Sequence, residues 1–165
     1  MKTVRLGLNR LLEGAIAILL AGMVVNVVWQ VFTRFVLRTP SSFTEELARY
    51  SMIWLGLLGA AYCAGKRSHL ALDLLQQRLH GTSRRTLDVV IQGCLLGFAL
   101  AVMVGGGGRL VWIILELGQT SAALQVKLGY VYLAVPVSGV LIAAYALMDL
   151  VTAWRGEAGA EGRAS

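Results

Sequence analysis

Polar and apolar positions in this chain alternate on the length scale of a bilayer. Four long apolar stretches cover residues 14–32, 51–64 with their flanks, 89–104 and 130–150, with short polar segments between them. A bilayer core about 30 Å thick needs about 20 mostly apolar residues of helix to cross it. The first and last stretches meet that length directly. The second meets it if its helix starts near Thr44, and the third if it continues through residues 105–108. The pattern predicts an all-α membrane protein with four transmembrane helices, over about 11–33, 44–65, 86–108 and 130–152. They form one transmembrane domain over residues 1–155, followed by a disordered tail over 156–165 rich in Gly, Ala and Glu. Between helices two and three, Leu72, Leu75 and Leu79 share a helical face among Asp73, Gln76, Gln77 and Arg78. That segment is too short and too polar to cross, so it predicts a short amphipathic interfacial helix over about 69–80.

Local chemistry marks the ends of these elements. The run Thr39-Pro40-Ser41-Ser42 stops one helix and starts the next, because proline disfavours helix in the residue before it and suits a helix start after it. Ser42 and Glu45 have capping-box spacing, and Glu45 and Glu46 fall in a first turn where the helix dipole favours negative charge. Glu45 and Arg49 are spaced for an i,i+4 pair. Asn26, Gln30 and Arg34 recur every fourth residue, one polar stripe that should face protein, either this chain or another subunit, rather than lipid. Gly56 with Ala60, Gly59 with Cys63, and Gly93 with Gly97 are small pairs of the kind that let helices approach closely in lipid. The four glycines at 105–108 imply a kink, a break or close backbone packing, since each costs a helix about 1 kcal/mol relative to alanine. Tyr130, Tyr132 and Trp154 are placed as interfacial aromatics around the fourth helix, and Pro136 is tolerable near its start.

Composition narrows the possibilities. Of 165 residues, 57% are hydrophobic, and the mean hydropathy is +0.69. After four spans only short loops and tails remain, which leaves no soluble catalytic domain. The net charge of +6 reads as membrane topology rather than nucleic-acid binding, because no basic patch carries interleaved aromatics on a soluble surface. Ten of the 15 lysines and arginines lie in the amino-terminal tail, the middle connection and the carboxy-terminal tail. By the positive-inside rule, both termini and that connection are expected in the cytoplasm. The charged start at Lys2 and Arg5 imitates a signal peptide, but its apolar run continues to Phe32, so an uncleaved first helix is expected. Cys63 and Cys94 lie inside spans without metal-type spacing and read as packing residues.

Candidate chemistry is sparse. His69 and His80 both fall in the middle connection, not on facing helices, which argues against a haem bundle. Glu13 stands near the inner end of the first span, not at its middle, where a small four-helix exporter would place a functional glutamate. No internal repeat suggests an inverted-repeat transporter. The residues predict no catalytic group, metal or bound cofactor, and a role beside a partner. An independent small four-helix transporter or exporter, or a membrane redox subunit, are the alternatives.

One block has family character. It runs through Arg34-Phe35-Val36, Phe43-Thr44-Glu45-Glu46-Leu47-Ala48-Arg49-Tyr50, Trp54, Gly59-Ala60-Ala61, Lys66-Arg67-Ser68-His69 and Leu72-Asp73-Leu74-Leu75. A second block is Gly129-Tyr130-Val131-Tyr132-Leu133-Ala134-Val135-Pro136. Together they resemble the small, DctQ-type membrane subunit of tripartite ATP-independent periplasmic (TRAP) transporters. Phe43, where tryptophan is frequent, and Leu72, where valine is frequent, are mild departures. The resemblance implies a non-catalytic subunit in the bacterial inner membrane, surrounded by lipid. Its partners would be a large membrane subunit that uses a sodium gradient to take up an organic acid, and a periplasmic substrate-binding protein. On that reading Asn26, Gln30, Arg34, Glu45, Glu46, Arg49, Trp54, Gly59, His69 and Asp73 are the interface or fold-critical candidates. Arg34, Glu45, Glu46 and Arg49 are expected to cluster at the outer interface, Trp54 and Gly59 to pack between helices, and His69 and Asp73 to anchor the interfacial helix.

Overall fold

A computed structural model describes residues 2–38, 42–66 and 82–154. Helix α1, Lys2–Phe32, runs without a break into a π-helical segment, Thr33–Leu37, and ends at Arg38 in the left-handed region (φ 53°). Helix α2 spans Ser42–Gly65. Helix α3, Thr82–Phe98, continues through a second π-helical segment, Ala99–Gly106, into α4, Gly107–Glu116. A folded connection leads to α5, Leu128–Tyr132, and then α6, Ala134–Trp154. Among the described residues, four continuous helical stretches are long and apolar enough to cross a membrane: Arg5–Leu37, Ser42–Gly65, Val89–Glu116 and Leu128–Thr152. The chain is therefore a multi-pass, all-α membrane protein, as its apolar pattern predicts. The expected interfacial helix at 69–80 and the tail at 156–165 lie outside the described residues, and so do His69 and Asp73.

Helix α6 is central. It packs on α2 along one side and on α3 and its π continuation along another, while α1 packs mainly on α2. Lipid tails are as apolar as leucine, so helix association here depends on close packing and internal polar contacts. Small residues accordingly fill one contact region, with Ala61 and Ala64 of α2, Ala99, and Ile142 and Ala143 of α6 all buried together. A second buried group, Leu12, Leu58 and Tyr145, joins α1, α2 and α6, with Trp54 packed against it. Most of α1 faces outward, including Ile18, Val25 and Trp29, as does Phe35 in the π-helical segment that follows it.

The glycine run does not break the third span. Residues lying toward α6 and α5 recur every fourth position there, at Ala99, Met103, Gly107 and Val111. In an α-helix of 3.6 residues per turn, a four-residue spacing drifts by about 40° at each step. A π-helix closes i→i+5 bonds and turns less per residue, which keeps this stripe on one side. Gly107 then meets the fourth span closely: a Cβ there would stand 2.9 Å from Val135 Cγ1. Pro136 sits in the first turn of α6, where its missing N–H has no intrahelical partner to lose.

Candidate functional site

Charged and polar side chains gather at the two ends of the bundle. At the end carrying the amino terminus, the Arg5 guanidinium donates to Asp149 Oδ1 at 2.8 Å and also to the Gly65 carbonyl. Asp149 comes from α6 and its side chain is 1% exposed, against 29% for Arg5. One cation thus pairs with one oxygen of a buried carboxylate and caps the carbonyl end of α2, where positive charge is favoured. Beside it, the Tyr145 hydroxyl donates to Asn9 Oδ1 at 2.6 Å. The ring of Tyr145 passes over Gly65, where a Cβ would lie 2.6 Å from Cζ, so only glycine fits at the end of α2. This Arg5–Asp149–Gly65 clasp joins three helices.

A more exposed group lies on the same end. The Tyr62 hydroxyl donates to Glu13, whose carboxylate is also 3.5 Å from Lys66 Nζ. The Lys66 ammonium stands over the Tyr62 ring, 4.7 Å from its centroid. The Tyr62 side chain foremost, and then Glu13, holds the Lys66 amine above its ordinary value. That raised value keeps the contact charged throughout the neutral range and loses it only as the pH rises through the lysine's own titration. Glu13 is tied up in this pairing at the end of the first span.

At the opposite end, Glu46, just past the first turn of α2, holds the connection between α4 and α5. Its Oε2 accepts hydrogen bonds from the Ser121 hydroxyl and from the backbone N–H groups of Ala123 and Leu124, the latter two at 3.1 Å each. Asn26 of α1 donates from Nδ2 to the Thr44 carbonyl at 2.8 Å, which fixes α1 against the start of α2. Glu45 and Arg49 pair at 3.3 Å with both side chains about two-thirds exposed.

The expected outer cluster is therefore divided. Glu45 and Arg49 pair with each other, but Glu46 turns to the 121–124 connection. Arg34, exposed in the first π segment, makes no ion pair or hydrogen bond among the described residues. The Asn26 stripe faces α2 at Asn26; Gln30 is half-buried, and its carbonyl accepts from Thr33. Trp54 packs in the Leu12–Leu58–Tyr145 group. Gly59 departs from the expectation: a Cβ there would meet nothing within 4 Å, so it marks no close approach among the described residues. Gly56, Gly93 and Gly97 are equally open, and the close approaches occur at Gly65, Gly107, Gly129 and Gly139. Four-residue spacing of small residues shows that a helix could approach, not that one does.

Sequence reasoning missed Asp149, Arg5, Tyr145 and Ser121. A signal existed for the first pair: Asp149 is the one acid within the apolar run at 130–150, and an even number of spans brings it to the same end as Arg5.

Alanine at Arg49 is expected to change thermal stability by no more than about 0.5 kcal/mol, because an exposed i,i+4 pair contributes that little. Thermal unfolding in detergent measures it, and a loss several times larger would mean that Arg49 holds something besides Glu45.

The sequence model of the family described as "Tripartite ATP-independent periplasmic transporters, DctQ component" matches residues 23–156. A putative TRAP transporter small permease protein of Haemophilus influenzae is 26% identical over 147 residues, 88% of each chain. The sialic acid TRAP transporter small permease protein SiaQ of Vibrio cholerae is 29% identical over 111 residues, 67% of this chain and 60% of that one. The isethionate TRAP transporter permease protein DctMQ of Oleidesulfovibrio alaskensis is 32% identical over 108 residues, which are 66% of this chain and 17% of that protein. The match thus spans less than two-thirds of the length of the last two relatives.

Proposed function

We infer the role of this chain from the family to which it belongs, the DctQ component of the tripartite ATP-independent periplasmic transporters: it is a small, non-catalytic permease subunit of such a transporter. In our reading it acts as a scaffold for a large membrane subunit, which carries the substrate, and works with a periplasmic substrate-binding protein. It lies in the bacterial inner membrane with both termini in the cytoplasm, since ten of the 15 basic residues then fall on the inner side. Uptake is of an organic acid, driven by a sodium gradient that the large subunit uses, and this subunit itself binds no cofactor. The names of two relatives, for isethionate and for sialic acid, fit an organic acid. The matched 108 residues are a small part of DctMQ, which fits a larger permease portion working beside a segment like this one.

The observation that carries the scaffold reading is the distribution of polar groups. Asp149, Glu13 and Glu46, each near a bundle end, are all engaged within the chain, and the centre between α2, α3 and α6 is filled by Ala61, Ala64, Ala99, Ile142 and Ala143. A substrate site at mid-membrane is built from buried charges or broken helices. Here α1, meanwhile, presents a long apolar face to its surroundings. Affinity purification from the native membrane tests this reading. A large, many-helix protein should co-purify in a fixed ratio, and recovery of the chain without one would contradict it.

A further inference from the structure

We propose that Glu46 is a positioning residue whose carboxylate is the built-in anion around which the connection at residues 118–127 folds. The donors lie within four residues of chain and converge on one oxygen: Ser121 Oγ, Ala123 N and Leu124 N all reach Glu46 Oε2. Ser121 is 3% exposed, so its hydroxyl has little water to turn to without the carboxylate. The rest of the connection depends on this arrangement. The Ser121 amide donates to the Val126 carbonyl at 2.9 Å, the Gln125 amide donates to the Ser121 carbonyl at 3.2 Å, and the Leu128 amide donates to the Gln119 carbonyl at 3.0 Å. Thr120 and Lys127 form an antiparallel bridge. Gln125 adopts φ 55°, a left-handed conformation that side chains other than glycine and asparagine seldom take.

Removing the carboxylate takes the acceptor from the buried Ser121 hydroxyl and the Ala123 amide and leaves the Leu124 amide only its longer bond to Ser121 Oγ at 3.4 Å, a loss borne by the connection. The contacts that hold α2 and α6 together, the Ala61–Ala143 and Leu58–Tyr145 groups, involve other residues. The connection therefore loosens while the bundle persists. The exposed neighbour Glu45, paired with Arg49, supplies a control of the same charge one residue away. In the complex proposed above, this connection faces the periplasm, and Glu46 then sets the shape of the surface met by the substrate-binding protein. That second step rests on the proposed function, whereas the first does not.

Hydrogen exchange on the purified chain tests the first step, with Glu46→Gln, Glu46→Ala and Glu45→Gln compared. Exchange over residues 119–127 should accelerate about tenfold or more in Glu46→Ala, where bonds to a charged acceptor are lost, and by a smaller factor in Glu46→Gln, whose amide oxygen still accepts but carries no charge. Exchange of α6 should stay unchanged, as should all exchange in Glu45→Gln. Sodium formate, but not sodium chloride, should restore protection in Glu46→Ala by refilling the vacated position. Unchanged exchange over 119–127, or equal acceleration in α6 with both Glu46 variants, overturns the proposal. Uptake by the whole complex tests the second step. Glu46→Gln should raise the half-saturating concentration of binding protein severalfold and keep the maximal rate; normal dependence with a loosened connection overturns that step alone.

Discussion

Alanine in place of Arg5 should lower the stability of the folded chain by about 3 kcal/mol, the low end of the cost of breaking a buried ion pair from one side. The low end applies because Arg5 is itself partly exposed and water can follow the truncation. The cost is still large because Asp149, 1% exposed, loses its ion pair with Arg5, and the carbonyl end of α2 at Gly65 loses its bond to Arg5 at the same time. Lysine should recover only part of it, because one ammonium does not present the planar fork that reaches a carboxylate and a carbonyl together. Replacing both partners, Arg5→Met with Asp149→Leu, should recover more than lysine does, since no charge is then left buried. Thermal unfolding in detergent, followed by the helical circular dichroism signal, ranks these variants. Equal stability of Arg5→Ala and the parent chain would show that the clasp does not hold the three helices.

Two glycines should respond in opposite directions. Gly139→Ala is expected to cost about 2 kcal/mol through overpacking. Its new Cβ would stand 2.6 Å from Met103 Cβ, 3.2 Å from Val104 Cγ2 and 3.3 Å from the Ala99 carbonyl oxygen. Those atoms belong to the π-helical segment of the third span and cannot swing aside as the end of a flexible side chain could. Gly97→Ala meets nothing within 4 Å, so the purified chain should gain up to about 1 kcal/mol from the better helix former. The same unfolding assay measures both. A stabilising Gly139→Ala would mean that the third and fourth spans stand further apart than described here.

The contrast between these glycines shows what the amino-acid order could reveal. Four spans were readable because a long apolar run is a length criterion, independent of what surrounds it. The Glu45–Arg49 pair was readable because its geometry belongs to one helix. The clasp was not, because Arg5 and Asp149 are 144 positions apart and meet only after α1 and α6 are placed. Glu46 and Arg34 were grouped with Glu45 and Arg49 by proximity along the chain. But Glu46 points to a connection 75 residues onward, and Arg34 lies on a π-helical turn that no local rule foretold. Gly59 and Gly97 share the small-residue spacing of a helix contact, yet the contacts formed at Gly65 and Gly139, where Tyr145 and Met103 happened to arrive.

Reconstitution tests the central claim, that this subunit supports transport without performing it. Vesicles are made with this chain alone, with the large membrane subunit alone and with both, each supplied with the substrate-binding protein, a sodium gradient and a labelled organic acid. Uptake should occur with both subunits together and be absent with this chain alone. Accumulation of the label in vesicles holding only this chain would contradict the account.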